Sequence, residues 1–110
     1  MGDAMTVTKA DIINQLSEAT GLTKKEVEVI LDGVLFTIID SVRQGKRIEV
    51  RGFGSFSSKE RYPRKVKNPK TNQIIDVAHR FVPIFKPAKD FRESVNQSLL
   101  EKKREAEVNE

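Results

Sequence analysis

One hundred and ten residues, 37% of them apolar and with a net charge of +4, make one domain with a modest core, of a size that often leans on a second copy of itself. There is no cysteine and only one histidine, His79, which excludes a disulfide framework and a clustered metal site, so no metal and no cofactor is expected. Nothing at the N-terminus resembles a signal peptide and no apolar run is long enough to cross a bilayer, so the expectation is a soluble, intracellular protein.

Met1 to Val7 carry no recognisable signal, Met1-Gly2-Asp3-Ala4 ahead of Met5 are assigned no function, and residues 1–5 are expected to be disordered. Thr8 and Asp11 have the spacing of a capping box, and Ile12, Ile13, Leu16 and Ala19 repeat on a helical period up to Gly21. Thr23 and Glu26 repeat the capping pattern. Behind them Val27, Ile30, Leu31, Val34, Leu35, Ile38, Ile39 and Val42 form a wide apolar stripe that ends at Gln44-Gly45. Two helices joined by so short a turn should pack as a hairpin. Val29 and Phe36 add apolar surface on other flanks, which asks for a further partner, either a sheet of the same chain or a second subunit.

After Gly45 the period changes. Ile48 and Val50 alternate with Arg47, Glu49 and Arg51, which predicts a strand. In Gly52-Phe53-Gly54-Ser55-Phe56 the glycines permit a turn or bulge that lets both rings point inward. A second strand is predicted from about Ser55 to Pro63 and a third from about Ile74 to Pro83, with a basic loop between them. From Ala88 helical spacing returns with Phe91, Val95 and Leu99, and the segment from Glu101 to Glu110 is almost wholly charged, which predicts a solvated, fraying end.

The charge is regional. Residues 1–40 carry −4, residues 41–58 +3, residues 59–89 +7 from nine cations and two carboxylates, and residues 90–110 −2. Between Arg61 and Phe81 the cations Arg61, Arg64, Lys65, Lys67, Lys70 and Arg80 face the single carboxylate of Asp76. Such a segment builds no core of its own, and its simplest use is a site for a polyanion.

The order of these features carries a resemblance. Two helices, a strand ending in Arg51-Gly52-Phe53-Gly54-Ser55-Phe56, a basic arm with Lys67-Asn68-Pro69-Lys70-Thr71, then Val82-Pro83-Ile84-Phe85-Lys86-Pro87 and a last helix resemble the bacterial HU and integration host factor family of DNA-bending proteins. The match runs from Met5 to Asn96 with several motifs in order and in spacing. The resemblance implies an α+β fold: a two-helix base, a three-stranded antiparallel sheet with a long β-ribbon arm, and a C-terminal helix, intertwined as a symmetric dimer. It also implies a cytoplasmic, nucleoid location. Residues 58–81 would be saddle and arm, and residues 97–110 a charged extension without an assigned role.

On that resemblance Pro69 is the wedge at the arm tip, an apolar ring without an N–H that can replace stacking between base pairs. Arg61, Arg64, Lys65, Lys67, Asn68, Lys70 and Thr71 would follow the minor groove and its phosphates. Lys59, Arg80, Lys86 and Lys89 would belong to the saddle and its flank. Phe53, Phe56 and Phe85 would form an aromatic core between subunits. Asn68 or Gln73 is placed to meet base edges, but the minor-groove pattern is degenerate, so recognition by shape and deformability is expected.

Outside that context a proline in a basic loop is a turn former, cations on a strand are a solvated face, and His79 is a surface strand residue with at most a phosphate contact. Arms of this type usually carry glycine where Val66 and Asn72 stand. Asn72 tolerates a left-handed backbone, while Val66 should favour an extended, stiffer strand. Tyr62 and Pro63 are unusual at the arm base, and the proline removes one ladder hydrogen bond. The reading is a non-enzymatic protein that binds and bends double-stranded DNA with little sequence specificity, as a homodimer or with a paralogue, without membrane or small-molecule substrate. The alternatives are a sequence-preferring subunit of the integration-host-factor kind and, in another class, a module for RNA or an acidic protein. No nucleophile with its base, no carboxylate pair and no metal cluster points to an enzyme.

Overall fold

The computed structural model describes residues 5–108, and the expectation of an unstructured start falls, for residues 1–4, outside them. The chain divides into two compact units, one up to Asp40 and one from Ser41. In the first, helix α1 spans Lys9–Thr20 and helix α2 begins at Lys24, running on to Arg43. Both capping boxes form as the spacing predicts. Thr8 N–H donates to Asp11 Oδ2 at 2.9 Å while Asp11 N–H donates to Thr8 Oγ1 at 3.2 Å, and Thr23 and Glu26 exchange the same pair of bonds at 3.1 Å. Each box satisfies two backbone donors that a helix start leaves open. The first helix ends at Gly21, whose N–H returns to Ser17 O.

Ile13 of α1 and Val27 of α2 are the buried apolar side chains among the described residues, and Lys9 Nζ reaches Asp32 Oδ1 at 2.5 Å. Along the rest of the α2 stripe Leu31, Ile38 and Val42 are half-buried, while Ile30, Val34 and Ile39 are each more than half exposed.

In the second unit, strand β1 spans Ile48–Val50, β2 Gly54–Arg61, β3 Arg64–Lys67, β4 Ile74–Val77 and β5 Arg80–Pro87, followed by helix α3 over Lys89–Val108. They make a three-stranded antiparallel sheet in the order β1-β2-β5 and a two-stranded ribbon β3-β4. The turn from β1 to β2 is closed by Phe53 N–H to Val50 O at 2.9 Å, with Gly52 at φ 83 in the third position, where a side chain would be strained. At Gly54, paired with Pro87, an added Cβ would lie 2.5 Å from Lys86 O and 2.6 Å from Phe85 Cε1. Only glycine lets β5 come this close.

Three expectations are corrected. The second strand stops at Arg61 rather than Pro63, because Pro63 has no N–H for the ladder and restricts Tyr62 before it. The segment read as a basic loop contains β3, in which Val66 pairs with Ile75 and Lys65 with Asp76. The third strand is two strands, Ile74–Val77 and Arg80–Pro87, and the second of these passes Pro83 without ending. Proline is tolerated there because β5 is at the sheet edge, where one row of N–H positions has no partner strand. The charged C-terminal segment is helical as far as Val108.

Candidate nucleic-acid interface

Register decides which side chains share a face. In the β2–β5 ladder Ser55 pairs with Lys86, Ser57 with Ile84, Lys59 with Val82 and Arg61 with Arg80. Because successive residues alternate sides, Lys59, Arg61, Arg80 and Lys86 all stand on one face. The intervening pairs, Phe56 with Phe85, Ser58 with Pro83 and Glu60 with Phe81, make the other. The sheet therefore has a cationic side and an aromatic side. Lys59, Arg61, Arg80 and Lys86 are exposed, so their charge is available to a polyanion.

The aromatic side is denser than the sequence reading foresees. Phe53 stacks with Phe56 at 6.4 Å, and Phe85 packs at a tilt against both, 4.8 Å from Phe56 and 5.3 Å from Phe53. Phe91 of α3 joins them, 5.3 Å from Phe53 and 6.2 Å from Phe85. Ala88 N–H donates to Phe53 O at 2.9 Å and fixes the start of α3 against the β1–β2 turn, which is what brings Phe91 into the cluster. Periodicity marks Phe91 as a helical apolar residue but does not show what it meets. Even so, Phe53 and Phe85 are 45% and 38% exposed, too much for rings whose burial against other residues is complete.

In the ribbon the cations alternate. Arg64 stands opposite Val77, Lys65 opposite Asp76, Val66 opposite Ile75 and Lys67 opposite Ile74. Arg64 thus lies on one face and Lys65 and Lys67 on the other, all exposed. A ribbon charged on both faces suits a groove with phosphates along both walls.

The tip is a compact turn. Asn68 N–H donates to Gln73 O and Asn72 N–H to Asn68 O, each at 2.8 Å. Asn68 Oδ1 accepts the Lys70 N–H at 2.9 Å, and Thr71 Oγ1 accepts the Gln73 N–H at 3.4 Å. Asn72 takes φ 59, the left-handed geometry expected of it. These bonds leave Pro69, Lys70 and Gln73 exposed at the end of the ribbon. The acceptor end of Asn68 is committed to the turn, so its amino group is the end suited to base acceptors. Lys89 sits apart in the first turn of α3, where its Nζ lies 3.9 Å from Glu93 Oε1.

The two carboxylates of the basic region do not dilute the cationic face. Asp76 is opposite Lys65. Glu60 is on the aromatic side, where its Oε2 lies 2.6 Å from His79 Nε2 and its Oε1 accepts from Tyr62 Oη at 3.2 Å. His79 is in the link between β4 and β5 rather than in a strand. Among the described residues no cluster of metal ligands occurs and no helix is long and apolar enough to cross a membrane.

Residues 7–96 match the family model described as "Bacterial DNA-binding protein". The chain is 43% identical over 94 residues to integration host factor subunit beta of Colwellia psychrerythraea, covering 84% of this chain and 99% of that one. It is 33% identical over 91 residues to DNA-binding protein HU of Clostridium pasteurianum, covering 83% and 100%. Among solved structures, the Anabaena HU–DNA cocrystal structure superposes with a TM-score of 0.72 at 39% identity, covering 80% of this chain and 96% of that one.

Proposed function

Because the chain belongs to the family of bacterial DNA-binding proteins, we propose that it is a non-enzymatic architectural protein of the nucleoid that binds and bends double-stranded DNA as a dimer. The observation that carries this reading is the two-faced sheet with its ribbon: Lys59, Arg61, Arg80 and Lys86 on one side, the phenylalanines on the other, and Pro69 exposed at a turn beyond.

The cationic face and the ribbon supply phosphate contacts through Lys59, Arg61, Arg64, Lys65, Lys67, Lys70, Arg80 and Lys86, with Thr71 and Gln73 at the tip and Lys89 at the flank. Neutralised phosphates release counterions, which drives association and makes it fall with salt. Asn68 and Gln73 donate to the acceptors that every minor groove displays, so they add affinity with little discrimination. Pro69 enters a base step. The unstacking it causes costs a few kcal/mol, offset when the bent duplex lies along more cationic surface, the general economy of minor-groove architectural proteins, of which this family is a standard example.

Dimerisation follows from what one chain leaves uncovered. The exposed stripe of α2 and the rings of Phe53 and Phe85 are already about half covered, so a partner that covers the rest contributes about 0.7–1.5 kcal/mol per side chain. A second reading, a sequence-preferring subunit, is favoured by the 43% identity to an integration host factor beta subunit. Competition between random and selected duplexes at physiological salt separates the two.

The test of the main reading is a salt titration of duplex affinity. Replacing Arg64 and Lys67 together by alanine removes two phosphate contacts from each subunit, four from the dimer, and should flatten the slope of log K against log salt by roughly 3.6. An unchanged slope would remove the ribbon from the interface.

A further inference from the structure

We propose that Glu60, Tyr62 and His79 form a latch across a hinge at the root of the ribbon and set how stiffly the ribbon is held on the sheet. The hinge is visible in the ladders. Pairing of β2 with β5 ends at Arg61 and Arg80, and pairing of β3 with β4 begins at Arg64 and Val77. Tyr62-Pro63 on one strand and Ala78-His79 on the other belong to neither ladder. Both strands are interrupted at the same level, so no cross-strand backbone bond of either ladder resists bending there, and Pro63 has no N–H to offer one.

Side chains bridge this gap. Glu60 is the last residue but one of β2, and its two carboxylate oxygens are each held by a residue of the hinge: Oε2 by His79 Nε2 at 2.6 Å and Oε1 by Tyr62 Oη at 3.2 Å. The Tyr62 and His79 rings stack with centroids 5.7 Å apart and planes within 4°, and the ring of Phe81 in β5 lies 5.7 Å from that of His79. One sheet residue thus grips both strands of the hinge at once. The rings also continue the aromatic side of the sheet, so the latch stands away from Lys59, Arg61, Arg80 and Lys86.

The charged groups around it are few. Glu60 faces His79 directly, Arg61 and Arg80 end the ladder with side chains on the opposite face, and Arg64 opens the ribbon. The Glu60 carboxylate accepts, so the His79 ring meets it with Nε2 as the donor, and the latch acts as a brace. Its consequence for DNA rests on the proposed function: an arm already held near its bound direction surrenders less freedom on binding. The brace itself is a property of the DNA-free protein and is tested there.

The measurement is backbone 15N relaxation of the full chain without DNA. In His79→Ala and in Glu60→Ala, order parameters over residues 64–77 should fall toward or below about 0.6, while those of β2 and β5 below the hinge stay near about 0.85. The double variant should fall by less than the sum of the two single ones, because each single one already removes the Glu60–His79 bond. Tyr62→Phe, which deletes one hydroxyl and keeps the stack, should give a smaller fall and decides the matter if the alanine variants do not fold. Unchanged order parameters in the ribbon, or singles that add in the double variant, would overturn the latch. Loss of DNA binding leaves this experiment untouched, so the two readings fail separately.

Discussion

Replacing Gly54 by alanine places a methyl group where the sheet has no room for it. The added Cβ would stand 2.5 Å from Lys86 O, 2.6 Å from Phe85 Cε1 and 2.7 Å from Phe85 Cζ, about 0.9 Å inside ordinary contact at the worst point. The nearest obstacle is a backbone carbonyl at the Gly54–Pro87 end of the β2–β5 ladder, which moves only with its strand. Overpacking costs about 1–3 kcal/mol, and an obstacle of this kind puts the cost at about 2–3 kcal/mol. With an unfolding entropy of about 2.1 cal/mol/K per residue, a chain of this length loses roughly 9–13 °C of Tm. Gly33 supplies the opposite sign. It lies off the apolar stripe of α2 with nothing within 4 Å of its would-be Cβ, so alanine there should add about 0.5–1 kcal/mol, or roughly 2–4 °C. Thermal unfolding followed by circular dichroism at one fixed protein concentration reads both. A Gly54→Ala protein melting within about 2 °C of the parent would refute the packing argument.

Pro69→Ala should reduce DNA bending, read by energy transfer between duplex ends, more than it reduces affinity, and retention of both would remove the wedge. Asn72→Gly should leave the tip turn intact, whereas Asn72→Val forces a β-branched residue to φ 59 and should shift amide resonances over residues 68–73, at a local cost of about 1–2 kcal/mol. The backbone N–H of Thr8 holds the Asp11 carboxyl below its ordinary pKa, and that of Thr23 does the same for Glu26. A carboxyl with a lowered folded-state pKa contributes stability that is fully present above its unfolded value and is lost as pH falls through the lowered one. The parent should therefore lose helix-start stability on acidification below the usual carboxylate range, and Asp11→Asn with Glu26→Gln should flatten that part of the pH–Tm profile; an unchanged profile would count against the capping boxes.

The helices were legible because their signals are local. Thr8 with Asp11, Thr23 with Glu26, and the glycines after α1 and α2 lie within a few residues of what they control. The ribbon was harder. Arg64 to Lys67 has three cations and one valine, a composition that reads as loop, and only the partner strand, through Ile75 opposite Val66, makes it β3. Pro83 reads as the end of a strand until the sheet order shows β5 at an edge. Pro63 announces a lost hydrogen bond, but that the opposite strand is interrupted at the same level depends on register, which no window of sequence contains. Phe91 and His79 were missed as cluster members for the same reason: their neighbours Phe53 and Glu60 are 38 and 19 residues away. The cations of the interface were read from charge alone, and composition could not say that Lys59, Arg61, Arg80 and Lys86 would share one face.

That shared face makes the gene unequally tolerant of two kinds of change. Exchanging one cation for another, or a serine for a threonine, leaves every neighbour on its own side. Inserting or deleting a single codon between Gly54 and Arg61 inverts the sidedness of everything beyond it, sending Lys59 and Arg61 in among the phenylalanines and turning Glu60 toward the phosphates. Length in this strand is therefore under tighter constraint than identity at most of its positions, and natural variation in chain length should accumulate at the ribbon tip and beyond α3 rather than here.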